Sequence, residues 1–106
     1  MIPFATTVIQ VTATTGASTL RQIIDTAFSG TVNYSKGVGA QPDHIEIDSE
    51  GDIRFTVDGT APTSSTGLRA SNTTGILVYE GVSIDQMRLY GSNVKVNVQI
   101  GWQGKM

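Results

Sequence analysis

The chain holds a single histidine, His44, beside nine acidic residues and nine serines, and it has no cysteine. A hydrolytic triad would set His44 between a serine nucleophile and a carboxylate. No nucleophile-elbow motif occurs to supply the serine. His44 falls on the polar side of an alternating run, so a solvent-facing or interface histidine is the plain expectation. One histidine cannot build a three-histidine metal site. The absence of cysteine excludes disulfides and Cys-ligated metals. His44, Glu46, Asp48, Glu50 and Asp52 recur at every second position. On a continuous strand all five would project from one face. Such a row can be a solvated face, a contact for a basic partner surface, or an oxygen-rich site for a divalent cation. The spacing misses the EF-hand pattern, because the glycine stands at Gly51 and the bidentate glutamate is absent.

Other chemistry finds less support. Gly37-Val38-Gly39 is followed by Pro42 where a third glycine is needed, so no dinucleotide cradle is expected. The acidic residues could furnish a glycosidase pair, but a 106-residue chain leaves little room for a substrate cleft. The expectation is a non-enzyme without cofactor or metal. The seven Lys and Arg residues are scattered and the net charge is −2, which argues against a nucleic-acid partner. A sugar-binding module would need an exposed aromatic pair beside a groove, for which Tyr34 and Tyr90 are the candidates. No stretch approaches the ~20 apolar residues of a membrane helix, and the first residues lack the basic and apolar regions of a secretory signal.

The elements that must position these residues are mostly strands. Thr (14), Ser (9) and Gly (12) dominate the composition, and they favour strands and turns. Residues 4–13 read as a first strand. Leu20, Ile23, Ile24 and Ala27 have helical spacing over Thr19–Phe28, with Ser18 as cap and Ser29-Gly30 as stop. Residues 30–42 read as a weak stretch, mostly loop. His44–Asp48 and Ile53–Val57 alternate about the turn Ser49–Asp52, which predicts a hairpin. Leu68–Ala70 pairs briefly. Ile76–Tyr79 and Ser83–Leu89 are further strands, the latter with a bulge or helical turn at Asp85-Gln86-Met87. Val94–Trp102 has the cleanest alternation of all.

About seven or eight short strands at such spacing predict an all-β, antiparallel β-sandwich with one short α-helix, filling residues 1–106 as one domain. The expected core is Val8 or Ile9 with Val11, Leu20, Ile24, Ile45, Ile47, Ile53, Phe55, Val57, Leu77, Tyr79, Ile84, Met87, Leu89, Val94, Val96, Val98 and Ile100. Val78 cannot share the face of Leu77, so one of the two is expected outside.

The run Gly51-Asp52-Ile53-Arg54-Phe55-Thr56-Val57-Asp58-Gly59-Thr60-Ala61-Pro62-Thr63, followed by Gly67-Leu68, Ile76–Tyr79 and Asn93-Val94-Lys95-Val96-Asn97-Val98, resembles a pattern in small virion proteins of tailed bacteriophages. The resemblance spans roughly residues 43–100. It implies a β-sandwich, often jelly-roll-like, that is a structural part of the particle and has no catalytic role. The expected function is therefore that of a capsid decoration (cement) protein located in the virion and assembled in the host bacterial cytoplasm. A neck- or tail-associated protein and a carbohydrate-binding module are the alternatives.

The ends of the chain suggest assembly. The first strand carries no charge and the last only Lys95, and such strands invite pairing when they lie at a sheet edge. Met1, Ile2, Phe4, Trp102 and Met106 are apolar residues near the two ends. They are expected in contacts of a homo-oligomer, a trimer or a lattice-bound multimer, or with the major capsid protein or other virion proteins. Residues 1–5 would form an N-terminal arm.

Overall fold

The computed structural model describes residues 3–5, 8–29 and 42–103. Met1, Ile2 and Met106, the expected loop through Gly37–Gly39, and Tyr34 lie outside these. In chain order the elements are β1 (Pro3–Ala5), β2 (Ile9–Ala13), α1 (Leu20–Phe28), β3 (His44–Ser49), β4 (Ile53–Thr56), β5 (Leu68–Ala70), β6 (Leu77–Glu80), β7 (Arg88–Tyr90) and β8 (Val94–Gln103). A five-stranded sheet runs β1-β8-β3-β6, with β2 also on β8, and a three-stranded sheet runs β5-β4-β7. Every pairing is antiparallel. The protein is all-β with one short helix, and its two sheets share one core.

β8 organises the larger sheet. Val96, Val98 and Ile100 point to the core while Lys95, Asn97 and Gln99 face outward. This strand, whose single charge would invite pairing at an edge, does not lie at one: it pairs with β1 and β2 on one side and β3 on the other. A ten-residue strand with unbroken alternation can satisfy partners on both sides. The expected first strand is divided. Ala5 pairs with Gly101 and Ile9 with Val98, so the register advances by one residue between β1 and β2. Ile9, Val11 and Ala13 are buried and Val8 is exposed.

The predicted hairpin over residues 44–57 does not form. β3 pairs with β6 and β8, whereas β4 pairs with β5 and β7. The turn between them carries the chain from one sheet to the other. Ser49 Oγ donates to the Gly51 carbonyl (2.5 Å) and accepts from Gly51 N–H (3.3 Å). Glu50 N–H still makes a main-chain bond to β8, donating to the Lys95 carbonyl at 2.9 Å. Gly51 then passes Val94, where a Cβ would stand 3.2 Å from Val94 Cγ1.

The helix is capped by Thr19 rather than the expected Ser18. Gln22 N–H donates to Thr19 Oγ1 (3.2 Å), and Thr19 N–H donates to Gln22 Oε1 (3.0 Å). Ser18 is otherwise engaged, its carbonyl accepting from Leu89 N–H at 3.1 Å. The reciprocal Thr-x-x-Gln box satisfies donors that a helix start leaves open. Ser29 ends α1 in the left-handed region, φ 54°. The helix start is fixed to the turn before β7, because Leu20 N–H donates to Met87 O (2.7 Å) and Arg21 N–H to Ile84 O (3.1 Å). That turn has its own serine cap: Asp85 N–H donates to Ser83 Oγ, and Ser83 N–H to Gln86 Oε1, both at 3.0 Å. The helical-turn alternative therefore holds, and the strand expected over Ser83–Leu89 shrinks to Arg88–Tyr90.

Ile23, Ala13 and Ala70 join the expected core. Val57, Leu77, Tyr79 and Val94 pack against it half-buried, and Phe55 meets Tyr79 edge-to-face at 5.8 Å. Of the pair Leu77 and Val78, Val78 is the exposed one.

Candidate binding cleft and polar sheet faces

The acidic row is interrupted by the change of sheet. His44, Glu46 and Asp48 stay on the outer face of β3. Glu50 turns back to accept from Gln10 Nε2 (2.8 Å) and Asn97 Nδ2 (3.2 Å). Asp52 lies beside the other sheet. His44 departs from its solvent-facing expectation, being 5% exposed. Its Nε2 lies 3.0 Å from Glu46 Oε2. Its Nδ1 lies 3.3 Å from Glu80 Oε1 but has no hydrogen bond. Register explains the grouping: Glu80 is the partner of His44 on β6, and its partner on β8 is Gly101, which presents no side chain. Among the described residues no three His, Asp or Glu side chains group to hold a metal ion.

The loop after β4 is closed on itself. Asp58 Oδ1 accepts from Thr60 N–H (3.1 Å) and Thr60 Oγ1 (2.7 Å), and these bonds hold its carboxyl below the usual carboxylate range. Thr56 Oγ1 donates to the Thr60 carbonyl. Pro62 is buried. Gly67 has φ +112°, and a Cβ there would stand 3.0 Å from Pro62 Cβ and 3.2 Å from the Phe55 carbonyl. Only glycine fits such a backbone without strain. The residues of the Asp-Gly…Pro…Gly run thus shape the loop.

This loop walls a cleft of about 560 Å³ beside the outer face of the three-stranded sheet. Its floor is one rung of the sheet, Arg69 on β5, Arg54 on β4 and Tyr90 on β7, which are register partners in that order. Ser64, Ser71, Thr74 and Ser92 add hydroxyl-bearing side chains, and Asp52 is the one acidic residue in the lining. Arg54 Nη1 donates to the Gly67 carbonyl at 3.1 Å. Arg69 is exposed and makes no ion pair among the described residues. Two rungs along, on the same outer face, Arg88 is committed to structure, donating to the carbonyls of Gly59 (2.9 Å) and Ala17 (3.1 Å).

The remaining expected site residues separate by position. Phe4 on β1 and Trp102 on β8 are register partners at one end of the larger sheet. No protein-family model, curated protein or solved structure matches this chain. Function therefore rests on the residues themselves. The sequence singles out Tyr90, and carries Arg54 only as part of the phage-like run, but gives no sign of Arg69. The register that sets Arg69 opposite Arg54 depends on a three-residue strand with no alternation long enough to read.

Proposed function

We propose that the chain is a non-enzymatic structural component of a bacteriophage particle, of the capsid-decoration kind, stabilising a shell through subunit contacts. One observation carries the assembly reading: Phe4 and Trp102, 98 positions apart in sequence, are register partners at one end of the five-stranded sheet. A register pair of two aromatic residue types suits a protein contact, since burial of apolar surface gains roughly 25 cal/mol per Å². The virion assignment draws on the phage-like run, whose loop residues bond to one another. The neighbours would be further copies of the chain, in a trimer or lattice, and the major capsid protein.

Virions assembled with the Phe4→Ser/Trp102→Ser variant are expected to incorporate it poorly, while its circular dichroism spectrum matches the parent protein. Cryo-electron microscopy of the particle then separates a capsid position from a neck or tail position. Normal incorporation of the variant, together with a monomeric parent protein, would overturn the reading. A second reading, a carbohydrate-binding module, is favoured by Tyr90, which lines the polar cleft beside Arg54.

A further inference from the structure

We propose that the cleft over β5-β4-β7 binds an acidic saccharide, with the sugar's carboxylate or sulfate held between Arg54 and Arg69. The proposal deepens the carbohydrate-binding reading and does not rest on the virion assignment.

Arg54 and Arg69 stand directly opposite each other on adjacent strands. Such partners have Cβ atoms about 4.5–5.5 Å apart, and like charges at that spacing destabilise a sheet. The chain has nine acidic residues, yet only Asp52 lines the cleft. The other two arginines are accounted for. Arg21 is paired with Asp85, and Arg88 is bound to two backbone carbonyls. Among the described residues Arg54 makes one hydrogen bond, to the Gly67 carbonyl, which leaves most of its five donors for a ligand. Two guanidinium groups carried on register partners can both donate to one oxyanion, and an anion held between them would remove the repulsion.

The rest of the lining suits a sugar. Tyr90 continues the rung on the far side of Arg54, and Ser64, Ser71 and Ser92 bring hydroxyl groups. An aromatic body with scattered hydroxyls suits a sugar ring, which offers C–H faces and hydroxyl edges. The cleft volume, about 560 Å³, lies within the range of small-ligand sites, about 300–1,000 Å³. A nucleic acid would call for a basic track longer than one rung. The acidic outer face around Glu46 and Asp48 of a second copy is a sheet surface, ill-matched to a concave cleft.

The test follows amide resonances of the full chain by NMR while adding hyaluronan tetrasaccharide, heparin tetrasaccharide, chitotriose or inorganic sulfate. The acidic tetrasaccharides should shift residues 52–54, 69–71 and 90–92, and chitotriose should not. Arg69→Gln, at an exposed position, should weaken binding about tenfold, the scale of one lost charge-assisted contact. Tyr90→Ala should weaken saccharide binding but leave the weaker response to sulfate unchanged. Arg54→Gln, checked for its melting temperature, gives a second anion-site variant. The proposal falls if neither acidic saccharide perturbs the cleft or if chitotriose binds equally well. It also falls if sulfate alone binds as tightly with no role for Tyr90. Self-association through these residues, abolished by Arg69→Gln, would assign the cleft to a second copy and overturn it as well.

Discussion

Arg21 and Asp85 show how one residue pair ties two elements together. The guanidinium meets the carboxylate through two bonds, Nε to Oδ1 at 2.6 Å and Nη2 to Oδ2 at 3.1 Å. The Arg21 hydrogen bonds hold the Asp85 carboxyl below its ordinary value of 3.8, against a smaller opposing effect of burial. A depressed folded-state pKa adds stability above the unfolded value, and that stability is lost as pH falls through the folded value. Asp85→Asn should therefore cost about 0.2–1 kcal/mol at neutral pH, the scale of an exposed ion pair. The difference from the parent protein should vanish in acid below the folded-state pKa, as urea titrations at several pH values would show. Thr19→Ala removes the side-chain half of the capping box and should cost about 1 kcal/mol in the same assay. Gly67→Ala forces a side chain onto φ +112° and into Pro62. It should cost about 1–3 kcal/mol.

Strand content and core faces were legible because alternation reports which side of a strand is buried. Ile45 and Ile47, Ile53 and Phe55, and Val96, Val98 and Ile100 all lie where their spacing puts them. Alternation does not report which strand is the neighbour. β3 and β4 have the pattern of a hairpin and a short turn between them, yet they belong to different sheets. The bond from Glu50 to Lys95 and the close pass of Gly51 beside Val94 involve residues more than forty positions apart. For the same reason the rung Arg69–Arg54–Tyr90 could not be read, although two of its members stood out individually. The burial of His44 could not be read from its alternation, because it depends on Glu80 and Gly101 across two pairings. The junction of the two sheets is correspondingly tight. A Cβ on Gly91 would stand 3.2–3.3 Å from Ile53, Val94 and Ala13. Gly91→Val should destabilise the protein by about 1–3 kcal/mol through overpacking, read as a lower denaturation midpoint at unchanged slope.

At the scale of the whole molecule, the two sheets present different chemistry outward. The larger sheet shows carboxylates and amides, Glu46, Asp48, Asn97 and Gln99, while the smaller shows Arg54, Arg69 and Tyr90. The proposed particle contact at Phe4 and Trp102 and the proposed saccharide cleft draw on different sheets, so variants of one can be tested apart from the other. The central place of β8 also governs how the molecule comes into being. During synthesis β1, β2 and β3 leave the ribosome before their common partner, and none of them has a neighbour in the larger sheet, apart from β6 on β3, until residues 94–103 emerge. The nascent chain must therefore wait with its strand edges unsatisfied, and the closing step joins segments nearly a full chain length apart. Topologies of that kind fold on the slower, millisecond-to-second side of small domains. Chains halted at residue 93 should bind holdase chaperones and yield to protease on the ribosome, whereas extending the tether until β8 clears the exit tunnel should bring protection in a single step.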